Sequence, residues 1–479
     1  MLAATLLVAT ASCATLESRT REALNAPGLE GTRWGLVVTT MDGRDLIAIR
    51  PDERFLPASN TKLFTVAAAF HRLGDMRSSD PSMGASVRIE PRAGGRPNVV
   101  LAGGGDATLV DAPDCQRNCL SDLADMVLAN GIREVGGIVI DQTRVPYERW
   151  PPGWGQDDMV TRSGAPVSAL TINSNEVYAV IRPATNAGEL AVVEWQQGSD
   201  LSPITSQVLT VDGEVAADSI VVERQPGTAL VRIYGRIGLN SPPVIRPIAV
   251  DDPGYSAALR FTSLLAARGI TVDGGIAQYL KPLTLPDAPS EDSPVADGME
   301  IARLLPPPLS DDVAFLMKQS QNLHAELLLR RLGVIDGDGS RTAGLAVVAA
   351  MMDEIGADRA AWDLSDGSGM SVYNRVTPRT VAKLLRWTTQ QTWGEQFRAT
   401  LPIGGVDGTL SRRFKGTPLE GRIFAKTGTL KGTNALSGFM LTKRGEMLIF
   451  SAYANDRPEE AGSATIVLDQ ALVAIAESR

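Results

Sequence analysis

The chain has 479 residues, 44% hydrophobic and 21% charged. These are globular values, and the length points to two or three domains. A net charge of −9 and a pI near 5.1, with no basic cluster, exclude nonspecific nucleic-acid binding, so no nucleic-acid partner is expected.

Residues 1–14 read as a signal segment. About ten apolar or small residues, Leu2 to Ala11, are too few to span a membrane and suit a signal h-region. The basic n-region is missing, and the first charge is Glu17. Ser12-Cys13-Ala14 is a partial match to a lipid-attachment site. The expectation is export to the periplasm or cell envelope, with peripheral membrane association left open. A cytoplasmic tail fits the apolarity less well.

Residues 32–50 predict a hairpin turning at Asp42-Gly43. Ser59-Asn60-Thr61-Lys62 then opens an apolar, helix-forming run, Leu63 to Phe70. Ser59 and Lys62 share a helix face at i and i+3. The positive helix N-terminus favours a neutral Lys62 and a developing anion on Ser59. A buried lysine can then serve as base toward the serine hydroxyl. By itself the pattern is weak: about one SxxK arises by chance in a chain this long.

From about 81 to 285 the text changes to short strands and Gly/Pro turns, interrupted by helices at about 120–131 and 255–268. This stretch reads as an inserted, strand-rich region, and Pro282 to Pro294 as the link out of it. Cys115 and Cys119 read as a local disulfide in an exported chain. A zinc half-site is the weaker reading, because no partner ligands have the right spacing, and no metal is expected.

Ser320-Gln321-Asn322 precedes a helix, Leu323 to Leu332. Two polar side chains at i and i+2 suit a loop projecting into a cleft, although Ser and Asn there also suit an N-cap. Lys426-Thr427-Gly428 lies on a short extended segment, followed by a turn and the apolar strand Ala435 to Leu441. Lys426 offers charge to a substrate carboxylate, and Gly428 lets a substrate backbone lie flat on the strand edge. An ordinary edge strand guarded by a lysine is the plainer reading. A strand pair (435–454) and a C-terminal helix (about 461–477) complete an α+β architecture. Together the three motifs, SxxK, SxN and KTG in that order, read as a serine acyl-transfer site with lysine as base. The two histidines, His71 and His324, sit in no recognisable Ser-His-Asp pattern, but such triads are geometric and a sequence cannot exclude one.

These motifs resemble those of the class C low-molecular-mass penicillin-binding proteins, D-alanyl-D-alanine carboxypeptidases/endopeptidases. The resemblance covers most of the chain after about residue 30. Arg54 to Lys62 is similar to the family's nucleophile segment. Gly103-Gly104-Gly105-Asp106-Ala107-Thr108-Leu109 is similar to its GxGDPxL turn, with Ala107 in place of proline. Gly153 to Met159 and Ala165 to Leu170 resemble its insert segments, and Asp366 to Ser371, Asn374 to Pro378 and Leu401 to Leu410 resemble later ones. Gln321 stands where the family usually has Asp, which should alter only local loop bonding.

The resemblance implies a transpeptidase/β-lactamase-like domain, an antiparallel sheet with a helical cluster, split by a large insert. The 261 positions from Ser59 to Ser320 fit such a split. The expected division is catalytic residues 15–80 and 286–479 around an insert at 81–285. Lys62 would deprotonate Ser59, and Ser320 would pass the proton to the leaving amine. Asn322 would bond the substrate's peptide carbonyl. Lys426 and Thr427 would hold the terminal carboxylate, with backbone N–H groups of Ser59 and Thr429 as oxyanion hole. Asp158 would meet the amine of a diamino acid. Partners would be peptidoglycan stem peptides and, as covalent inhibitors, β-lactams; no cofactor is needed. The rival readings are a serine β-lactamase, which the 205-residue insert argues against, and a silent wall-binding scaffold, which the intact motifs argue against.

Overall fold

Residues 16–196, 203–216, 219–225, 227–283 and 298–479 are described by the structure, a computed structural model. The signal segment, Cys13 and most of the 282–294 link lie outside the described residues. The described chain forms two compact units. One takes the chain up to Asn60, Ala357–Trp362 and Arg375–Arg479; the other takes Thr61–Gly356 and Asp363–Asn374.

The first unit is built on a five-stranded antiparallel sheet. Its order is Ile423–Leu430, Thr433–Leu441, Met447–Asn455, Arg33–Thr40, Asp45–Ile49. The strand Trp34-Gly35-Leu36-Val37-Val38 is buried on both faces, as a central strand must be when helices cover both sides of the sheet. Leu36 and Val38 join the apolar side chains of the Ala464–Glu477 helix in one core. The Pro378–Thr388 helix packs against the same strand and its neighbours. It starts at a proline, and the Thr377 side chain accepts from Thr380 N, the usual pairing of N-cap and N1 proline. The predicted hairpin and C-terminal helix are thus both present.

Gly35 has to be glycine, because a Cβ there would lie 2.6 Å from the Phe55 ring. That ring stacks on Tyr453 at 5.6 Å. Asn455 Oδ1 accepts from Leu56 N at 2.7 Å and its Nδ2 donates to Leu56 O at 3.3 Å. The sheet therefore fixes the segment that runs into Ser59.

The second unit holds the Lys62–Arg72, Leu309–Gln319, Asn322–Ile335 and Arg341–Glu354 helices. It also holds a mixed sheet in the order Ile276–Lys281, Ile138–Pro146, Asn98–Ala102, Ser86–Glu90, Met299–Arg303. The last of these strands lies downstream of residue 285. The helices Leu120–Ala129 and Pro253–Ala266 bury their apolar faces in the core of this sheet. Apolar side chains from Val160, Val177, Ile181, Val208, Ile233 and Ile248 belong to a separate cluster on two three-stranded sheets. Cys115 and Cys119 are disulfide-bonded. Among the described residues no helix is long and apolar enough to cross a membrane.

The Gly103-Gly104-Gly105 run is explained by close approach. A Cβ on Gly103 would lie 2.4 Å from the Ala169 carbonyl and one on Gly104 2.2 Å from Met83 O, while Gly105 has φ +92. The turn is thereby wedged between two backbone segments of the unit. Gly104→Ala should cost about 1–3 kcal/mol through overpacking and lower the thermal midpoint by calorimetry. Gly275→Ala, where a Cβ meets nothing within 4 Å, should stay within about 0.5 kcal/mol. Equal midpoints for the two variants would refute the wedge.

Candidate active site

Ser59 lies in a 3₁₀ turn, Ala58–Thr61, and the α-helix proper starts at Lys62. The boundary between the two units falls inside this segment, after Asn60.

In the first unit the Ile423–Leu430 strand carries Lys426, Thr427, Gly428 and Thr429 on the sheet edge. Asn60 Nδ2 donates to Lys426 O at 3.0 Å, tying the serine turn to this strand. Gly428 makes room for that turn: a Cβ there would lie 2.8 Å from Pro57 O and 3.1 Å from the Ala58 Cβ. Lys426 is fully buried, and its Nζ donates to Thr427 O at 3.0 Å. Thr427 Oγ1 shares a 2.7 Å hydrogen bond with Thr409 Oγ1, so the 401–410 stretch supplies a side chain beside the KTG threonine.

In the second unit, Ser320 ends the Leu309–Gln319 helix in the left-handed region, φ +60. The next helix begins at Asn322, and Gln321 is its N-cap, accepting from Leu323 N. The cap is therefore the middle residue of the motif, which leaves both flanking side chains for other work. The far end of Gln321, Nε2, donates to Glu176 Oε1 at 3.1 Å. Glu176 also pairs with Arg162 at 2.9 Å. A neutral amide suits this place, because a carboxylate would face a second, buried carboxylate. Asn322 Nδ2 donates to Ser163 O at 2.9 Å. Asp158 lies a few residues before Ser163. Burial and the Asp157 carboxylate push its carboxyl above the usual range.

Lys62 has no exposed surface. Its Nζ donates to Asn322 Oδ1 and to Ser368 O, each at 2.6 Å. The SxxK lysine and the SxN asparagine, 260 residues apart, thus meet directly. Burial pulls the ammonium down to about 7, against the opposing pull of Asp366 and Glu326. A neutral amine has two N–H donors and one lone pair. Asn322 Oδ1 and Ser368 O both accept from it, and the lone pair of the neutral form is what lets a lysine act as a base.

Sequence reasoning missed the two acids beneath this lysine. Glu326 is fully buried, and burial, then Asp366, push its carboxyl up to about 7. Its Oε1 accepts from Gly367 N at 3.0 Å and Ser368 N at 2.8 Å. Asp366 accepts from Gly369 N at 2.8 Å, Ser371 N at 2.6 Å and Trp154 Nε1 at 3.0 Å. The signal for Glu326 was the lone acid of its helix, at i+4 from Asn322 and flanked by Ala325 and Leu327. Asp366 heads the Asp-Gly-Ser-Gly run. Among the described residues, no group of three or more His, Cys, Asp or Glu side chains could hold a metal ion.

This architecture and these motifs agree with what comparison finds. Residues 16–476 match the D-Ala-D-Ala carboxypeptidase 3 (S13) family. A D-alanyl-D-alanine carboxypeptidase of Actinomadura sp. (strain R39) is 34% identical over 468 residues, covering 94% of this chain and 82% of the relative. The carboxypeptidase DacB of Haemophilus influenzae is 28% identical over 439 residues, covering 89% and 86%. The crystal structure of penicillin binding protein 4 from Haemophilus influenzae superposes with a TM-score of 0.78 at 24% identity, covering 95% of this chain and 98% of that one. The expected α+β, transpeptidase-like fold is borne out. The chain belongs to the D-Ala-D-Ala carboxypeptidase 3 (S13) family. It is a serine D,D-peptidase, a low-molecular-mass penicillin-binding protein.

A lysine base works only when neutral, so kcat/KM for D-alanine release should fall as pH drops through about 7. That limb belongs to Lys62 and Glu326 together, since both are brought to about 7. Glu326→Gln removes a charge that favours the ammonium, so the limb should move to lower pH. An unmoved limb in a pH–rate profile would show that the lysine does not sense this carboxyl.

Proposed function

We propose that Ser59 is the nucleophile and that the protein cleaves the terminal D-alanyl-D-alanine bond of peptidoglycan stem peptides through a Ser59 acyl-enzyme. The observation that carries this reading is the buried Lys62 amine, held by Asn322 and Ser368 O and pulled down to about 7. Lys62, three residues from Ser59, takes the Oγ proton as Oγ adds to the carbonyl between the two D-alanines. Ser320 passes a proton to the leaving amine. Asn322 bonds the substrate's peptide carbonyl. Lys426 and Thr427 receive the terminal carboxylate, while N–H groups of Ser59 and Thr429 receive the oxyanion. Gly428 keeps the KTG strand clear of a side chain here. Water then hydrolyses the acyl-enzyme, its proton returning through Lys62. β-Lactams stop at the acyl stage.

Cross-link endopeptidase activity is part of the same proposal, as is a contact between Asp158 and the amine of a diamino acid. Asp158 makes no ion pair among the described residues, and its carboxyl is poised to gain from a cation. We also propose that the protein is exported and works in the cell envelope. The apolar residues 2–11, the Cys115–Cys119 disulfide and an extracytoplasmic substrate support this.

Intact mass after incubation with benzylpenicillin should show one stable adduct on the wild type and none on Ser59→Ala. Lys62→Ala should slow acylation at least ~100-fold. No adduct with the drug intact would favour the scaffold reading, and no adduct with the drug consumed a β-lactamase.

A further inference from the structure

Ser174, His324 and Asp312 form a second hydrogen-bonded chain in the larger unit. His324 Nδ1 lies 2.5 Å from Asp312 Oδ1, and its Nε2 lies 3.0 Å from Ser174 Oγ. An ionised carboxylate only accepts, so Nδ1 carries the ring proton and Nε2 accepts from the serine hydroxyl. This is the hydrogen-bond order of a Ser-His-Asp nucleophile, assembled from residues 150 and 12 positions from the histidine. It shares no residue with the SxxK, SxN and KTG motifs.

Three further observations bear on its use. His324 is buried, while Ser174 is only partly so. Asn173, Ser174 and Asn175 all take left-handed backbone, φ +50, +54 and +55. Asparagine tolerates that region, but serine seldom adopts it. The two asparagines clamp the turn. Asn173 exchanges hydrogen bonds with the Asp111 backbone at 2.9 and 3.0 Å, and Asn175 Nδ2 donates to Pro166 O at 2.9 Å. Backbone held so far from its preference collects at functional sites, and a nucleophile on a sharp strained turn is a known way to present Oγ. Lastly, Phe315 packs 5.1 Å from the imidazole and is 47% exposed, giving an apolar wall beside the base.

We propose that Ser174 is a second acyl-transfer nucleophile, acting on esters of small carboxylic acids whose apolar part rests on Phe315. Oγ adds to the ester carbonyl while its proton passes to His324 Nε2. The tetrahedral adduct expels the alcohol, which takes that proton. Water then adds to the acyl group, gives a proton to Nε2 and releases the acid, and the proton returns to Oγ. Asp312 holds the ring orientation and balances the imidazolium. The inference does not depend on Ser59.

The test uses the full-length Ser59→Ala protein with diisopropyl fluorophosphate, read by intact mass and peptide mapping. In labelling, the Oγ–P bond forms and the P–F bond breaks, with fluoride and the proton leaving. The expected result is one diisopropylphosphoryl group on Ser174, with slow turnover of p-nitrophenyl acetate by the same protein. Both should vanish in Ser59→Ala/Ser174→Ala. Ser174→Ala alone should keep its D-alanine release, which controls for folding. Asp312→Asn should slow labelling by at least ~100-fold, and His324→Gln gives the same readout should Asp312→Asn fail to fold. No label on Ser174 overturns the proposal. So does labelling at an unchanged rate in both the Asp312 and the His324 variant, since an ordinary exposed hydroxyl would behave that way.

Discussion

A lysine amine with no exposed surface has lost its hydration, and the surrounding fold has to answer for it. Lys62 is brought from an ordinary value of 10.5 to about 7, on the order of 5 kcal/mol in favour of the neutral form. The donors of that neutral amine go to Asn322 Oδ1 and Ser368 O. Everything that locates those two oxygens therefore serves the base: the N-cap at Gln321 that starts the helix at Asn322, and the loop 366–371 that turns its carbonyl inward.

Glu326 and Asp366 set the limit of the effect. Without them burial would depress the lysine further, because each negative charge nearby favours the ammonium. The fold takes an intermediate course. Asp366 is satisfied by backbone N–H groups and an indole, whereas Glu326 has one oxygen on two backbone donors and Oε2 without a hydrogen-bond partner. A carboxyl raised to about 7 can itself hold a proton near neutrality, so the cluster exchanges protons at little cost in net charge.

Residues 154–176 do more than decorate this arrangement. Ser163 O accepts from Asn322, Glu176 accepts from Gln321, and Trp154 donates to Asp366. Gln321, Asn322 and Asp366 thus each have a contact reaching into residues 154–176. Ser174, two residues before Glu176, reaches back to the same helix at His324. Residues 154–176 and the SxN helix consequently pack within one unit, and the amide at position 321 makes physical sense against the buried Glu176 carboxylate.

What the sequence determined by itself was local. An apolar run of helix formers marked the helix after Ser59 and an Asp-Gly turn marked the hairpin, each through neighbours a few residues apart, while three short motifs marked the chemistry. The glycine run at 103–105 was visible as a motif, but its cause, two backbone segments within 2.4 Å of a would-be Cβ, was not. Glu326 read as one acid in a helix, and His324 as a histidine without partners. Only tertiary structure decided that Glu326 lies beneath Lys62 and that His324 stands between Ser174 and Asp312. Hydrogen bonds and desolvation act over a few ångströms of space, and the partners here are separated by 12 to 264 positions in the chain.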